Sequence, residues 1–321
     1  MSTKVKEFSM RQAFAETLVN LAAKNPNLYA VSADLKSSLG LTTFASRFRS
    51  RFIEVGVAEN NAAAIAGGLA KTGKTVFLCS FSCFSPALNW AVIKQSILYQ
   101  DLPVKIVGSH SGLMSGELGA THQMLEDIAL TNTLPGLEVF APLDALEAQK
   151  ITKVIAHSSK ASYLRLVRPS TQNFTSAKNS FTIGKSHLLK SGKHLTIVGY
   201  GPVLAQALEA QNILNQDYGK KAPQLEIINL SSIKPFDSAT ILKSVKKTNH
   251  LIVIEDHQQN GGLGQILSSH LLQKGLSPSF THLAVDDSFG LSSFDYRQLW
   301  QHYGIGLDSL LKSIKSQLSL K

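Results

Sequence analysis

Residues 52–81, FIEVGVAENNAAAIAGGLAKTGKTVFLCSF, decide the fold. An apolar run opens the stretch, a small-residue segment with helical character follows over Glu59–Lys71, and a second apolar run ends at Phe81. Two parallel strands need a crossover of a dozen or more residues, and this segment supplies one as a helix. The second strand has no polar and apolar alternation, so it is buried on both faces, as in a parallel sheet covered by helices.

The same alternation extends outward. LYAVSAD, PVKIVGSH, LEVFAPL and SYLRLVR read as further buried strands, and residues 10–23, 86–99 and 144–157 read as helices. After Arg168 the pattern lapses into RPSTQNFTSAKNSF, whose Pro, Ser, Asn and Thr content marks a linker. A second alternation follows, with strands HLTIVGYG, QLEIINL, HLIVIED and FTHLAV and helices near residues 203–215, 238–246, 264–274 and 309–317. The fold class expected is α/β, with two domains over 1–175 and 176–321, each a largely parallel sheet flanked by helices.

Bulk properties agree. A chain of 321 residues exceeds the usual single core, and 44% hydrophobic with 17% charged residues describes an ordinary globular protein. The formal charge of +10 favours anionic partners such as phosphates, but the lysines are scattered, with no aromatic-interleaved basic stripe, so nucleic acid is not expected. The opening MSTKVKEFSM lacks an apolar leader, and no run of about 18 apolar residues occurs, which argues against secretion and membrane spanning. Cys79 and Cys83 form neither a disulfide framework nor a CxxC pair, and a cytoplasmic location fits.

Ligands of open parallel sheets gather beyond the carboxyl ends of the strands. There Asp34 and Ser38 stand either as a helix cap or as an anion site. Glu59 is either an acid of the first helical turn or a partly buried carboxylate suited to proton relay. Phe81 and Phe84 are core or a stacking wall for a flat heterocycle. His110 and His122 share one glycine-rich excursion, GSHSGLMSGELGATHQMLED, which suits hydroxyl contacts or proton transfer. Neither HExxH nor CxxC accompanies them, so no metal ligand is expected in this chain.

Eight segments in order, SMRQAF, VSADL, EVGVAENNAAAIAGGLA, FLCSFSCF, GATHQMLEDIAL, LRLVRPS, IKPFD and IEDHQQNGGLGQ, resemble the second and third domains of transketolases. The family's first domain, with its Gly-Asp-Gly motif for metal and diphosphate, has no counterpart, and no GDG tripeptide occurs. The resemblance therefore implies the C-terminal subunit of a split transketolase. Its partner would be an N-terminal subunit carrying the GDG motif and Mg2+, with two copies of each chain around a homodimeric core. Thiamine diphosphate would be held here by its aminopyrimidine end, and sugar phosphates would be the substrates.

By the same resemblance Glu59 is the acid hydrogen-bonded to the cofactor's ring nitrogen N1′, and Phe81, Phe84, Leu78 and Asp34 complete the cofactor pocket, Leu78 replacing a family aromatic. His110 and His122 line the substrate channel, while Arg11, Ser38 and Arg168 grip the sugar phosphate. Leu118 stands where the family places an aspartate that reads a substrate hydroxyl, and Ser293 replaces a glycine. No catalytic role carries over to His257. Deoxyxylulose-phosphate synthase shares the fold and the glutamate, as do the beta subunits of 2-oxoacid dehydrogenases, and a non-catalytic scaffold or regulatory paralogue would keep the fold without turnover.

Overall fold

The computed structural model describes residues 6–320, so residues 1–5 of the N-terminal stretch read above lie outside the described residues. The strands are β1 (Phe8–Ser9), β2 (Leu28–Ser32), β3 (Phe52–Glu54), β4 (Thr75–Phe81), β5 (Lys105–Ser109), β6 (Glu138–Phe140), β7 (Ser162–Arg165), β8 (Ser170–Thr171), β9 (His187–Lys190), β10 (Leu195–Gly199), β11 (Leu225–Asn229), β12 (Ser232–Lys234), β13 (His250–Gln258) and β14 (Ser279–Val285). The helices are α1 (Met10–Lys24), α2 (Thr42–Arg47), α3 (Glu59–Lys71), α4 (Trp90–Val92), α5 (Asp127–Asn132), α6 (Ala145–Ile155), α7 (Gln206–Tyr218), α8 (Ser238–Thr248), α9 (Leu263–Gln273), α10 (Tyr296–His302) and α11 (Leu307–Gln317).

The two α/β domains are present. The first sheet runs β12-β6-β7-β5-β4-β2-β3 and the second β14-β13-β10-β11-β9. Each is parallel except for one antiparallel edge, β12 in the first and β9 in the second. In the first sheet β3 lies on one side of β2 and β4 on the other, so the chain reverses its direction of travel at α3. A crevice opens at such a switch point, beyond the carboxyl ends of the strands.

The helices on the two faces differ in bulk. Phe14 of α1 packs on Phe77 of β4, with ring centroids 6.0 Å apart. On the other face α3 presents Ala62, Ala63, Ala66 and Gly67, and a methyl group added at Gly67 would stand 2.4 Å from the Ser96 carbonyl oxygen. Only glycine allows that approach. The small-residue helix thus seats Glu59 close to the next helical stretch.

Three local expectations change. Residues 83–98 are not one regular helix: Ser85 leaves helical dihedrals (φ −137, ψ 105), and π turns flank α4. Pro86, which has no N–H to give, sits inside this distortion. Second, β12, three residues from the second half of the chain, extends the first sheet by pairing with β6. Third, the stretch read as a linker is anchored. Its Ser170–Thr171 pairs with β1, and the N–H groups of Phe174 and Thr175 donate to Asp144 Oδ2 at 2.7 and 2.6 Å, while Asp144 Oδ1 caps α6.

The domains are joined through buried charge. Arg165, at the end of β7, donates from Nε to Asp127 Oδ2 at 2.9 Å and from Nη2 to the Asp256 carbonyl of β13 at 2.8 Å. Tyr163 donates to the same Asp127 oxygen at 2.7 Å. Burial pulls the Arg165 guanidinium down, but Asp127, Tyr200 and Asp256 outweigh it and hold Arg165 charged. Beside it, Glu255 accepts from Tyr200 Oη, His282 Nε2 and the N–H groups of Leu263 and Gly264.

Both side chains of the Arg165–Asp127 pair are essentially inaccessible, so removing one strands the other without water. We expect Asp127→Ala to lower stability by roughly 3–5 kcal/mol in urea unfolding. A loss under about 1 kcal/mol, the range of exposed pairs, contradicts the buried linkage.

Candidate active site

Parallel register brings four strand ends to one edge. Phe81, the last residue of β4, lies opposite Ser109, the last of β5, which places His110 beside the Phe81 ring at 3.8 Å between centroids. Phe84 stacks on Phe81 at 6.1 Å with 14° between planes, and His122 meets both rings edge-on at 5.7 and 6.3 Å. Four residues singled out from two separate segments therefore form one aromatic cluster.

Glu59 is the first residue of α3, where the helix dipole favours a carboxylate. It is 7% exposed, and among the described residues its side chain accepts no hydrogen bond. Neither of its oxygens is among the fully buried side-chain atoms without a partner, so the carboxylate still reaches solvent and its lone pairs are open to a ligand's donor. The residue is tied to the aromatic cluster: Asn89, from the stretch that carries Phe84, donates to the Glu59 carbonyl at 3.1 Å. Burial, with the Glu59 charge as a smaller cause, pushes the neighbouring Cys83 thiol up to about 12, so this cysteine stays a thiol.

His110 has a left-handed backbone (φ 61), a conformation that costs a non-glycine residue roughly 1–3 kcal/mol. Ser115 fastens it by donating to its carbonyl, and Ser109 Oγ contacts its Nδ1 at 3.0 Å. Burial first, then the charges of Arg11 and Arg168 and the nearby His122, push its imidazole down to about 3. It is a neutral hydrogen-bonding group, while His122, bonded to Thr121 Oγ1 through Nδ1 at 2.8 Å, lies closer to solvent.

The three expected phosphate residues also converge. Arg11 donates from Nη1 to the Ser38 carbonyl at 2.5 Å and from Nη2 to the Arg168 carbonyl at 2.9 Å, and its Nε is buried without a partner. Burial and the Arg168 charge lower the Arg11 guanidinium from its ordinary value. A cleft of about 580 Å3 opens beside Arg11 and Ser38, between α1 and residues 37–43. Arg168 pairs with Glu117 at the surface, an exposed ion pair that a stronger anion displaces at little cost.

Two residues stand apart. Leu78, 1% exposed, belongs to the core on the α3 face, whereas Phe77 and Cys79 belong to the core on the α1 face. Asp34 is exposed with a left-handed backbone (φ 59), and its N–H donates to Glu54 Oε1 at 2.7 Å. Neither Asp34 nor Ser38 is a helix cap, because α2 begins only at Thr42 behind Leu41 and has no side-chain cap. His257 is wholly buried, accepting from the Ala129 N–H at 3.3 Å and bonded through Nδ1 to the Gln258 carbonyl at 2.7 Å, which is a structural role. Sequence reading passed over Asn89, Ser109 and Ser115, polar residues whose importance lies in partners that no motif announces, two backbone carbonyls and an imidazole nitrogen.

The depressed His110 has a measurable sign. Unfolded, it titrates near 6.5. From there down to about 3 the unfolded chain binds the extra proton, so stability falls as pH falls, by at most about 1.4 kcal/mol per pH unit. Urea midpoints across this window should fall more steeply for the wild type than for His110→Gln. Equal slopes would show that His110 is solvated.

Comparison with known proteins agrees with this architecture. The family model described as the transketolase pyrimidine binding domain matches residues 6–173, and that of the transketolase C-terminal domain matches residues 184–310. A putative transketolase C-terminal section from Methanocaldococcus jannaschii is 36% identical over 96% of this chain and 96% of its own length. An apulose-4-phosphate transketolase subunit from Phocaeicola vulgatus is 32% identical over 94% of this chain and 95% of its own. A solved structure described as a split gene transketolase, inactive beta4 tetramer, superposes with a TM-score of 0.88 at 32% identity, covering 98% and 99% of the two chains. Sequence, strand order and relatives of matching length converge, and the chain belongs to the transketolase family.

Proposed function

We propose that this chain is the pyrimidine-binding subunit of a two-chain, thiamine-diphosphate-dependent transketolase that moves a two-carbon ketol unit between sugar phosphates. The observation that carries the reading is the Glu59 carboxylate, on a mostly buried residue and with no hydrogen-bond partner among the described residues, close to Cys83, which lies in the sequence between the stacked Phe81 and Phe84. That arrangement fits an aminopyrimidine, which needs an acid at one ring nitrogen and apolar surface on its face. When bound, the cofactor supplies the nucleophilic carbon and electron sink for transfer of the ketol group.

This chain's residues then have distinct tasks. Glu59 holds and returns the proton at N1′, while Phe81 and Phe84 orient the ring and exclude water. Asp34, exposed in the loop after β2, and Leu78, in the core beneath, lie outside the aromatic cluster and contribute to the cofactor pocket only at its margin. Neutral His110 hydrogen-bonds substrate oxygens, and His122, nearer solvent, exchanges protons with substrate hydroxyls. Arg168 leaves Glu117 for the sugar phosphate, with Arg11 and Ser38 lining the adjoining cleft.

An N-terminal partner chain would hold Mg2+ and the diphosphate through a GDG motif, with two copies of each chain assembled. The lengths of the relatives support this, since one protein named as a C-terminal section and another named as a transketolase subunit match this chain nearly end to end. The two free cysteines suit a reducing cytoplasm.

Transfer from xylulose 5-phosphate to ribose 5-phosphate, with thiamine diphosphate and magnesium, should appear only when this chain is mixed with its partner. Glu59→Gln should reduce kcat of the mixture by about 10²-fold or more, the ordinary scale of lost acid–base catalysis, with the assembly intact. Unchanged activity in that variant favours the non-catalytic paralogue, and decarboxylation of pyruvate in place of ketol transfer favours the deoxyxylulose-phosphate synthase reading.

A further inference from the structure

The loop that bears the two histidines is not held by its own domain alone. Residues 111–124 form a closed excursion, with Ser111 bridged to Met124 and the Gly112 N–H donating to the Met124 carbonyl at 2.8 Å. The first domain holds it through the Leu166 carbonyl, which accepts from the Ser111 N–H at 3.2 Å, and through the Arg168–Glu117 pair, and the second domain adds three bonds of its own. Asp256 of β13, 3% exposed, accepts from the Leu113 N–H at 2.9 Å. A methyl group added at Gly112 would stand 2.5 Å from the same carboxylate. At the far end Gln123, 5% exposed, donates from Nε2 to the Leu291 carbonyl at 2.8 Å and to the Gly116 carbonyl at 3.2 Å. Ser293 N–H reaches the Gly116 carbonyl at 3.4 Å.

The fit is close enough to exclude side chains from both partners. A methyl group at Gly119 would lie 2.5 Å from Ser292 Oγ, and one at Gly290 would lie 1.8 Å from Gln123 Oε1. Gln123 directly follows His122, so the amide that binds the second domain also sets where that imidazole begins. Glu59, Phe81 and Phe84 sit on other elements and bond to none of these second-domain residues; the two phenylalanines meet the loop only through the rings of His110 and His122.

We propose that the second domain is the positioning element of the substrate loop: through Gln123 and Asp256 it fixes residues 111–124, and with them His110 and His122, for substrate but not for cofactor. The proposal rests on the function given above and deepens it, since it assigns substrate positioning to a domain that makes none of the contacts assigned to cofactor or substrate. Gln123 and Asp256 are positioning residues in this scheme. Each lost amide bond is worth about a tenfold change at most.

The test uses the chain assembled with its partner, thiamine diphosphate and magnesium, in two variants. Gln123→Met keeps the side-chain volume and removes both bonds, and Gly290→Ala expels the Gln123 amide from a position in the second domain. Each should raise KM for xylulose 5-phosphate by about tenfold, with thiamine diphosphate affinity by titration within about twofold of wild type. Hydrogen exchange of residues 111–124 should quicken, with the strands of both sheets unchanged. Unaltered KM and unaltered exchange overturn the proposal, as does an equal loss of cofactor affinity, which would mark a general structural defect. A wild-type assembly without transfer activity counts against the function, and the exchange measurement then decides the clamp by itself.

Discussion

Arg165 is the constraint on which the rest depends. A guanidinium with no access to water must be neutralised and hydrogen-bonded, and here one fork satisfies Asp127 in the first domain and the Asp256 carbonyl in the second. Desolvation makes such a pair a poor source of net stability, but it is strict about geometry. With Arg165 fixed, the end of β13 is held against the first domain through the Asp256 carbonyl. Asp256 then lies over Gly112, and His257 and Gln258 reach the Ala129 N–H and the Leu125 carbonyl. The placement of the histidine loop follows from that docking.

The site itself is assembled from contrasts in burial. A carboxylate at a helix N-terminus is favoured by the dipole yet deprived of donors, an imidazole is forced to remain neutral, and an arginine is spent on two carbonyls. Together they leave polar groups at the crevice with hydrogen-bonding capacity that a ligand can take up. The stacked phenylalanines supply the apolar boundary in which such polar contacts gain strength.

Most of the sheet architecture was legible because parallel strands buried on both faces leave unmistakable apolar runs, as in KTVFLCSF and HLIVIED. The positions of Glu59, Phe81, His110 and His122 at one edge followed from reading what comes after each strand. What escaped was set by long-range partners. β12 is only three residues, too short for any periodicity, and its place in the first sheet depends on β6 about ninety residues earlier. The regular helix expected over 86–99 yielded to Pro86 and Ser85, and the cap reading of Asp34 and Ser38 failed because the chain runs on to Thr42 before turning helical. Leu78 could be aligned with an aromatic, but strand parity turns it to the opposite face from Phe77 and Cys79. Nothing in the EDH motif alone says that its acids bind loop and helix N–H groups of both domains.

The most direct measurement is a crystal structure of this chain assembled with its partner and thiamine diphosphate. The account predicts a Glu59 carboxylate oxygen within about 2.6–3.2 Å of the cofactor's N1′, with Phe81 and Phe84 against the pyrimidine ring. A bound cofactor that leaves Glu59 without contact, or a pyrimidine seated away from the two phenylalanines, would contradict it.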